Sequence, residues 1–253
     1  MGDIELYSEI ADMTVWSISE CKSTFDVLAE LPVKGNKYNA IFTFNQTAGK
    51  GQFNRTWESQ PFKNIALSVA IPLSPDMAAN PTLFNMHLST AVLAALQATS
   101  SADLSIKWPN DIYGEGKKLA GFLMSILSIG QNKFFQLGLG INVNQIKWAS
   151  DIPNPTSLSI LNNQEQDLHK VLNGILSQIQ KSVESFNSKN QEKILGAFNK
   201  GLWRCGKDVT YAAEGKATEQ GILLGVNTKG QIQVTHTSGI KSFHLGEVRL
   251  LPG

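Results

Sequence analysis

Three segments of the sequence combine cations, glycines and amides in patterns that suit the binding of an anion. In the first, residues 46–57, Lys50 lies between two glycines, so that backbone N–H groups can approach an anion while the ammonium neutralises its charge. Arg55 adds a second cation and Trp57 an aromatic face. A solvated basic loop would have the same composition, so this segment alone leaves both interpretations open.

The second segment is centred on Lys107, which lies between Ile106 and Trp108. Burying its charge without a partner would be unfavourable, and a carboxylate or phosphate group of a ligand would supply that partner. A side chain that extends to the surface is the alternative. Asp111 has three interpretations: it helps to hold a metal ion, it fixes the lysine, or it only organises the turn.

The third segment, residues 137–144, has glycines at positions 138 and 140 inside a run with the composition of a strand. Glycine inside a strand marks a place where a ligand or another part of the backbone approaches closely. Asn142 offers both a hydrogen-bond donor and an acceptor there. These features indicate either a ligand-binding strand or a tight packing contact.

Several other chemistries are disfavoured because their motifs are missing from the sequence. No Gly-Lys pair has the hydroxyl residue and upstream glycine of a P-loop, and no Gly-x-Ser-x-Gly segment occurs. The glycines at 138 and 140 begin a dinucleotide-binding pattern, but Val143 occupies the third glycine position. The histidines are scattered without metal-ligand spacing: His87, His169, His236 and His244.

Composition indicates an ordinary globular protein of a reducing compartment. The chain has 253 residues and a net charge of +1, which argues against an extended surface for DNA or RNA. Cys21 and Cys205 are far apart and are expected to be free thiols. Because there is no signal-peptide pattern and no apolar run of membrane-spanning length, we expect a cytoplasmic location without membrane contact.

The elements that must position these segments follow from hydrophobic patterning. Apolar runs predict strands at Tyr38–Phe44, Ile65–Ile71, Phe122–Ile129 and Phe134–Ile141. Residues 106–122 predict a strand, a turn and a returning strand. Helical spacing predicts a helix with Asn80 as N-cap and Pro81 at its first position, and further helices over 168–186 and 191–199.

The pattern changes after Trp203, where short strands follow one another closely. Such spacing is typical of a small β-barrel. The sequence therefore predicts two domains, residues 1–202 with mixed helices and strands and residues 203–253 with an all-β fold.

In this order and spacing, the segments resemble those of biotin–protein ligases. The resemblance is strong over residues 16–145 and continues into the C-terminal domain. It is carried by Ser23-Thr24, by Gly49-Lys50-Gly51 with Arg55 and Trp57, by Lys107-Trp108-Pro109-Asn110-Asp111, by Lys118-Leu119-Ala120-Gly121 and by Gly138-Leu139-Gly140-Ile141-Asn142. It implies an α+β, class II synthetase-like catalytic domain with a mixed sheet and flanking helices, and a small C-terminal SH3-like β-barrel.

The implied activity is that of a ligase that forms biotinyl-5'-AMP from biotin and ATP, with Mg²⁺, and transfers biotin to a lysine of a biotin carboxyl carrier protein. Ser23, Thr24 and Gln46 would then hydrogen-bond the ureido group of biotin. Lys107 would contact the biotin carboxylate and later the adenylate phosphate.

The resemblance also implies roles for the other motif positions, and Gly121 and Gly138 lie where the backbone lines the pocket. Lys50 and Lys118 would add positive charge around the phosphates. Trp57 would cover the adenine and Asn142 would contact the nucleotide, while Asp111 would position Mg²⁺-ATP or the acceptor lysine. The remaining implied ligand contacts are Phe25, Gly49, Gly51, Gln52, Arg55, Asn110, Gly121, Gly138 and Gly140.

Three residues depart from the family pattern. Gln52 replaces an arginine that in many members helps to retain the adenylate, Lys50 replaces the commoner arginine, and Phe25 replaces an asparagine near biotin. Since the Ser23-Thr24 segment lies so near the start of the chain, a DNA-binding domain before it is not expected. Both monomers and dimers occur among biotin–protein ligases, so the resemblance is compatible with a homodimer.

Two other functions compete with this one. A lipoate or octanoate transferase shares the catalytic fold, but its Arg-Arg-x-Ser-Gly-Gly-Gly loop is absent from this sequence. A biotin-binding protein without turnover would explain the changes at Gln52 and Phe25, whereas Lys107 and Asp111 argue for an enzyme.

Overall fold

The protein is described by a computed structural model that covers residues 2–32, 37–52, 55–213 and 217–251. Its strands are β1 (Ile4–Ile10), β2 (Met13–Ile18), β3 (Tyr38–Thr43), β4 (Gly49–Lys50), β5 (Thr56–Trp57), β6 (Asn64–Pro72), β7 (Leu104–Lys107), β8 (Asp111–Gly114), β9 (Lys117–Ile129), β10 (Asn132–Asn142), β11 (Asp208–Ala213), β12 (Thr218–Val226), β13 (Ile232–His236), β14 (Gly239–Phe243) and β15 (Val248–Leu250). Its helices are α1 (Thr24–Val27), α2 (Pro75–Ala79), α3 (Pro81–Gln97), α4 (Leu158–Asn162), α5 (Leu168–Ser185) and α6 (Gln191–Lys200).

The main sheet has eight strands in the order β1-β2-β3-β6-β10-β9-β8-β7. Neighbouring strands are antiparallel except β2 and β3, which run parallel. Strand β6 is almost entirely buried, which agrees with its continuous apolar sequence. This mixed sheet with flanking helices confirms the predicted α+β class.

Helices α3 and α5 pack against each other and bury one face of the sheet in a common core. The apolar stripe of α5 is buried as predicted, and the Asp167 side chain caps this helix by accepting hydrogen bonds from the backbone N–H groups of His169 and Lys170. Helix α6 also lies where it was predicted. None of the helices in the described part of the chain has the length and hydropathy to span a bilayer.

Two local predictions are confirmed only in part. Asn80 occupies the N-cap position of α3 with Pro81 directly after it, but its side chain makes no capping bond and donates instead to the backbone oxygen of Asp76 at 3.0 Å, because α2 ends directly before it. In residues 106–122 the predicted turn and returning strand are present, because β8 and β9 pair around residues 115–116, but the predicted first strand is interrupted. The first strand, β7, ends at Lys107, and the chain turns through residues 108–110 before β8 begins.

Several strands were not predicted at all. Strand β1 is the edge of the main sheet, and its mixed polar sequence is mostly exposed. In the C-terminal region, β14 and β15 are short and also partly exposed. Such strands bury too few apolar residues to produce a clear alternating pattern.

The C-terminal strands form a five-stranded antiparallel sheet in the order β14-β13-β12-β11-β15. In the described residues, no ladder joins β14 to β15, so closure into a barrel stays a prediction, as does the boundary at residue 202. The buried side chains of this sheet, among them Tyr211 and Val234, belong to the same apolar cluster as the main sheet and its helices.

We predict that Phe84→Ala will destabilise the protein by about 3–5 kcal/mol, because it leaves a cavity in the core. Phe84 is fully buried, and its ring packs edge-to-face on Phe135 and Phe186 at centroid distances of 4.8 and 4.9 Å. Urea unfolding followed by circular dichroism measures the change. The control Leu6→Ala removes a side chain that is 58% exposed and should stay within about 0.5 kcal/mol of the unmodified protein. Equal losses in both variants would contradict this account of the core.

Candidate active site

A cleft of about 890 Å³ lies against β6, β9 and β10 on the face of the main sheet. One wall comes from residues 46–57, another from residues 148–155 and a third from residues 245–250 of the C-terminal sheet. The cleft brings together all but one of the residues predicted to contact a ligand, namely Ser23, Thr24, Phe25, Gln46, Lys50, Gly51, Gln52, Arg55, Trp57, Lys107, Asn110, Asp111, Lys118, Gly121, Gly138, Gly140 and Asn142. The exception is Gly49, which packs inside a hairpin, where a Cβ atom would lie 2.6 Å from the backbone oxygen of Trp57.

The inner end of the cleft is a group of buried polar side chains at the start of α1. The Thr24 backbone N–H donates to Oε1 of Gln46 at 2.9 Å, and the Thr24 hydroxyl lies 2.9 Å from the hydroxyl of Ser68. Ser23 is almost fully buried beside them. Ser68 was not predicted, although a lone serine within the apolar strand β6 is a signal that could have identified it. These groups offer several hydrogen-bond donors and acceptors to a small polar group.

Glycines on β9 and β10 make room for two aromatic rings in the cleft. A Cβ atom on Gly140 would lie 2.5 Å from Cε2 of Trp57, and one on Gly121 would lie 3.1 Å from Cζ3 of the same ring. A Cβ atom on Gly138 would lie 2.7 Å from Cδ2 of Phe25. The glycines therefore serve close packing, which was one of the two interpretations of this pattern.

Two lysines in the centre of the cleft have different surroundings. Lys118 Nζ forms an ion pair with Oδ1 of Asp111 at 2.8 Å and also lies 5.5 Å from the ring centroid of Trp57. Lys107 Nζ lies 3.1 Å from the hydroxyl of Tyr113 and forms no ion pair with any residue that the structure describes. The carboxylate of Asp111 therefore forms its ion pair with Lys118 and not with Lys107.

Burial lowers the pKa of Lys107 below the usual lysine range. Nearby Asp111 opposes this effect, while the positive charges of Arg249 and Lys118 add to it. Burial, together with the charge of Asp111, raises the pKa of the Tyr113 hydroxyl to about 12, so this group stays protonated at neutral pH. Lys107 is thus a partly buried cation for which an incoming anion would be a favourable partner.

The described parts of the loop, residues 46–52 and 55–57, contribute a narrow hairpin to the lining of the cleft. Strand β4 pairs with β5, and Gly51 N–H donates to the backbone oxygen of Arg55 at 2.7 Å. Residues 53 and 54 of this loop lie outside the described residues. Lys50 Nζ pairs with Asp26 at 2.7 Å, with both side chains about half exposed. Such a pair contributes little stability, so Lys50 remains able to exchange Asp26 for another anion.

The buried side-chain amide of Gln145, which was not predicted from the sequence, links the residues directly after this loop to the residues directly before the wall of residues 148–155. Gln145 accepts from the Gln60 backbone N–H at 3.0 Å, and donates to the Glu58 carboxylate at 3.0 Å and to the Lys147 backbone oxygen at 2.8 Å. The Asn142 side chain donates to the backbone oxygen of Thr156 at 2.9 Å and so fixes the residue directly after the same wall. These contacts join parts of the chain that are distant in sequence, and no local sequence pattern predicts them.

Three further residues of this region are Asn110, Arg249 and Cys21. Asn110 donates from its side chain to the backbone oxygen of Phe122, which places it in the turn that presents Lys107. Arg249 of β15 lines the cleft and was not predicted. Burial raises the pKa of the Cys21 thiol to about 11, so this cysteine is not an activated nucleophile.

Comparison with known proteins gives consistent results. Residues 20–144 match the biotin/lipoate A/B protein ligase family. The bifunctional ligase/repressor BirA of Bacillus spizizenii is 28% identical over 212 residues, which cover 81% of this chain and 64% of that protein. The biotin–[acetyl-CoA-carboxylase] ligase of Mycobacterium tuberculosis is 27% identical over 191 residues, which cover 74% of this chain and 70% of that protein. The chain thus spans less than two thirds of the length of the Bacillus relative.

Among solved structures, the biotin protein ligase from Aquifex aeolicus in complex with biotin and ATP is similar over almost its whole length. The TM-score is 0.80 and the sequence identity is 29%, and the match covers 94% of this chain and 99% of that one. The sequence match and the shared fold agree, and residues 20–144 of the chain belong to the biotin/lipoate A/B protein ligase family.

Proposed function

We propose that this protein is a biotin–protein ligase that activates biotin with ATP and transfers it to a lysine of a biotin carboxyl carrier protein. The observation that carries the proposal is that one cleft contains Lys107, a partly buried cation with no carboxylate partner among the described residues, together with the buried polar group around Thr24 and with Trp57 and Lys118. This set of groups matches a ligand that has a polar head, a carboxylate and a nucleotide. The named relatives and the Aquifex complex support the same function.

In the first step, an oxygen of the biotin carboxylate attacks the α-phosphorus of ATP, the bond from that phosphorus to the bridging oxygen breaks, and pyrophosphate leaves. Such phosphoryl-centred transfer needs positioning and positive charge more than a protein nucleophile. We assign Ser23, Thr24 and Gln46 to the ureido head of biotin, and Lys107 to the carboxylate and the α-phosphate.

In the second step, the amine of the acceptor lysine attacks the acyl carbon of biotinyl-5'-AMP. The bond from that carbon to the AMP oxygen breaks, the amine loses its proton to solvent, and AMP leaves. In this proposal Trp57 covers the adenine, while Lys50 and Lys118 surround the phosphates. The hairpin of residues 46–57 keeps water from the intermediate until the carrier binds.

Magnesium enters this proposal with ATP as part of the substrate. Within the described ranges, no three His, Cys, Asp or Glu side chains come together as a metal site. Mg²⁺ commonly keeps several waters and takes only one or two protein carboxylates beside the substrate phosphates. Asp111 is our candidate for this carboxylate because it lines the cleft beside Lys118.

We propose a cytoplasmic location, since ATP, biotin and the carrier are available there and both cysteines are free thiols. The carrier requires a docking surface, for which we suggest the outer edge of β9. Strand β8 pairs with β9 only as far as Gly121, whereas β10 pairs with it as far as Ile129. An uncovered edge of this kind suits a strand of the carrier or of a second copy of the chain.

The proposal predicts biotin-dependent exchange of labelled pyrophosphate into ATP. Lys107→Ala should lower this exchange by about 100-fold or more, since it removes the charge at the reacting phosphate. Lys193→Ala, at an exposed position of α6, is the matched control and should retain full exchange. Biotin binding without any exchange would favour a binding protein, and exchange that requires lipoate or octanoate in place of biotin would favour the related transferases.

Gln52→Arg should slow the release of biotinyl-5'-AMP, because Gln52 lines the cleft and an arginine there would add a cation for the phosphate. The measurement is the rate at which labelled intermediate leaves the enzyme in a chase with unlabelled biotin. Gln52→Leu is the uncharged control and should not retain the intermediate. Unchanged release from Gln52→Arg would show that this position does not control retention.

Gly140→Ala should raise the KM for ATP by about fivefold or more, since the added methyl group displaces the Trp57 ring and overpacking costs about 1–3 kcal/mol. The KM for biotin should change much less. Gly174→Ala, in α5 with nothing within 4 Å of the added atom, is the control. In a Trp57→Ala background, Gly140→Ala should have little further effect. A full effect in that background would rule out Trp57 as the group displaced.

A further inference from the structure

The ammonium of Lys107 lies close to two aromatic rings from different parts of the chain. Lys107 Nζ is 4.7 Å from the ring centroid of Tyr113 and 5.5 Å from that of Trp203. Both distances are within the range of about 6 Å at which the negative face of a ring attracts a cation. The two rings are themselves 5.9 Å apart, and the Tyr113 hydroxyl adds a hydrogen bond at 3.1 Å.

This arrangement holds a charge without neutralising it. Asp111 lies opposite Lys107 in the ladder between β7 and β8, but its carboxylate pairs with Lys118 at 2.8 Å. If a carboxylate held Lys107 in the same way, an incoming anion would have to displace it. Aromatic rings attract the ammonium through their quadrupole and carry no net charge, so the full positive charge remains available to a ligand.

We propose that Tyr113 and Trp203 are positioning residues that hold the ammonium of Lys107 in the cleft, ready for an anionic ligand. The identity of that anion, a carboxylate followed by an α-phosphate, rests on the proposed function. The holding of the ammonium itself rests only on the contacts of Lys107.

Trp203 is fixed in place by the segment that leads from α6 to the C-terminal sheet. Its backbone N–H donates to the Ile106 oxygen at 2.8 Å, and Ile106 N–H donates to the Gly201 oxygen at 2.7 Å. The residue directly before Lys107 therefore bonds to the backbone of Trp203. On the side of the C-terminal sheet, the Arg204 guanidinium lies 5.1 Å from the Trp203 ring centroid. The start of the C-terminal region thus supplies half of the aromatic surroundings of Lys107.

The first test separates the aromatic faces from simple packing through paired variants. Trp203→Leu and Tyr113→Leu keep an apolar side chain but remove the ring, whereas Trp203→Phe and Tyr113→Phe keep a ring. We expect each leucine variant to lower kcat/KM for pyrophosphate exchange by about tenfold, the size expected for one partly desolvated cation–π contact. The phenylalanine variants should recover most of this loss. Trp16→Leu, at a partly buried tryptophan of β2, is the control for general destabilisation and should retain exchange activity. Equal losses in leucine and phenylalanine variants would overturn the proposal.

The second test does not depend on enzymatic activity. Protons that lie over aromatic faces resonate upfield, so the ε-methylene signal of Lys107 in ¹³C-lysine-labelled protein should lie upfield of the other lysines. The signal is assigned by its loss in Lys107→Arg. Each leucine variant should move it downfield, and the phenylalanine variants should largely keep it in place.

A Lys107 signal at the ordinary lysine position in the unmodified protein would overturn the proposal. An upfield signal in a protein that shows no exchange activity would instead contradict the proposed function and leave the aromatic surroundings of Lys107 established.

Discussion

The cleft exists because one patch of the main sheet carries no side chains. Gly121 and Gly140 lie directly opposite each other in the ladder between β9 and β10, and Gly138 lies two residues further along the same face. Side chains at these positions would fill the space that the rings of Trp57 and Phe25 now occupy. The Trp57 ring packs directly on the backbone of Gly121 and Gly140. This contact sets the distance between the hairpin and the sheet, and therefore the width of the site.

The two central lysines show how one cleft can give the same side chain two roles. Lys118 is stabilised by a carboxylate, so its charge is partly compensated before any ligand binds. Lys107 is held by a hydroxyl and two rings, so its charge is not compensated. Electrostatic stabilisation is most effective where a charge is fixed in advance and shielded from water. The proposed division of labour, with Lys107 at the reacting atoms and Lys118 around the phosphates, follows from this difference.

Much of the site could be predicted from the sequence because its residues lie in short motifs with local spacing. The turn that presents Lys107 and the glycines of β10 belong to this class. Ser68 was detectable only as a lone serine in the apolar strand β6, and Gln145 and Trp203 could not be found from a motif. Each acts through partners on distant strands or loops, and such contacts leave no periodic signal in the sequence. The partner of Asp111 was also not predicted, because Asp111 lies opposite Lys107 in the ladder between β7 and β8, yet its carboxylate pairs with Lys118.

The strands and helices also divide into those with a clear sequence pattern, which were predicted, and those without one. Strands buried on both faces, such as β6, were predicted well because their apolar runs are continuous. The edge strand β1 and the last strands β14 and β15 were not predicted, because partly exposed strands lack a clear alternation of apolar and polar residues. Asn80 was correctly predicted as the N-cap residue, but its side chain makes no capping bond because a second helix ends directly before it and offers a competing partner.

The unbroken apolar cluster that joins the C-terminal sheet to the main sheet also bears on how the protein forms in the cell. Synthesis proceeds from the N-terminus, so the large sheet and its helices leave the ribosome before β11–β15 have been made. Until Val248 and Leu250 of β15 emerge, part of the interior has no cover. The growing chain therefore exposes apolar surface until β11–β15 have been made, and the lysine on which the proposed chemistry depends acquires its second ring only after Trp203 has been made.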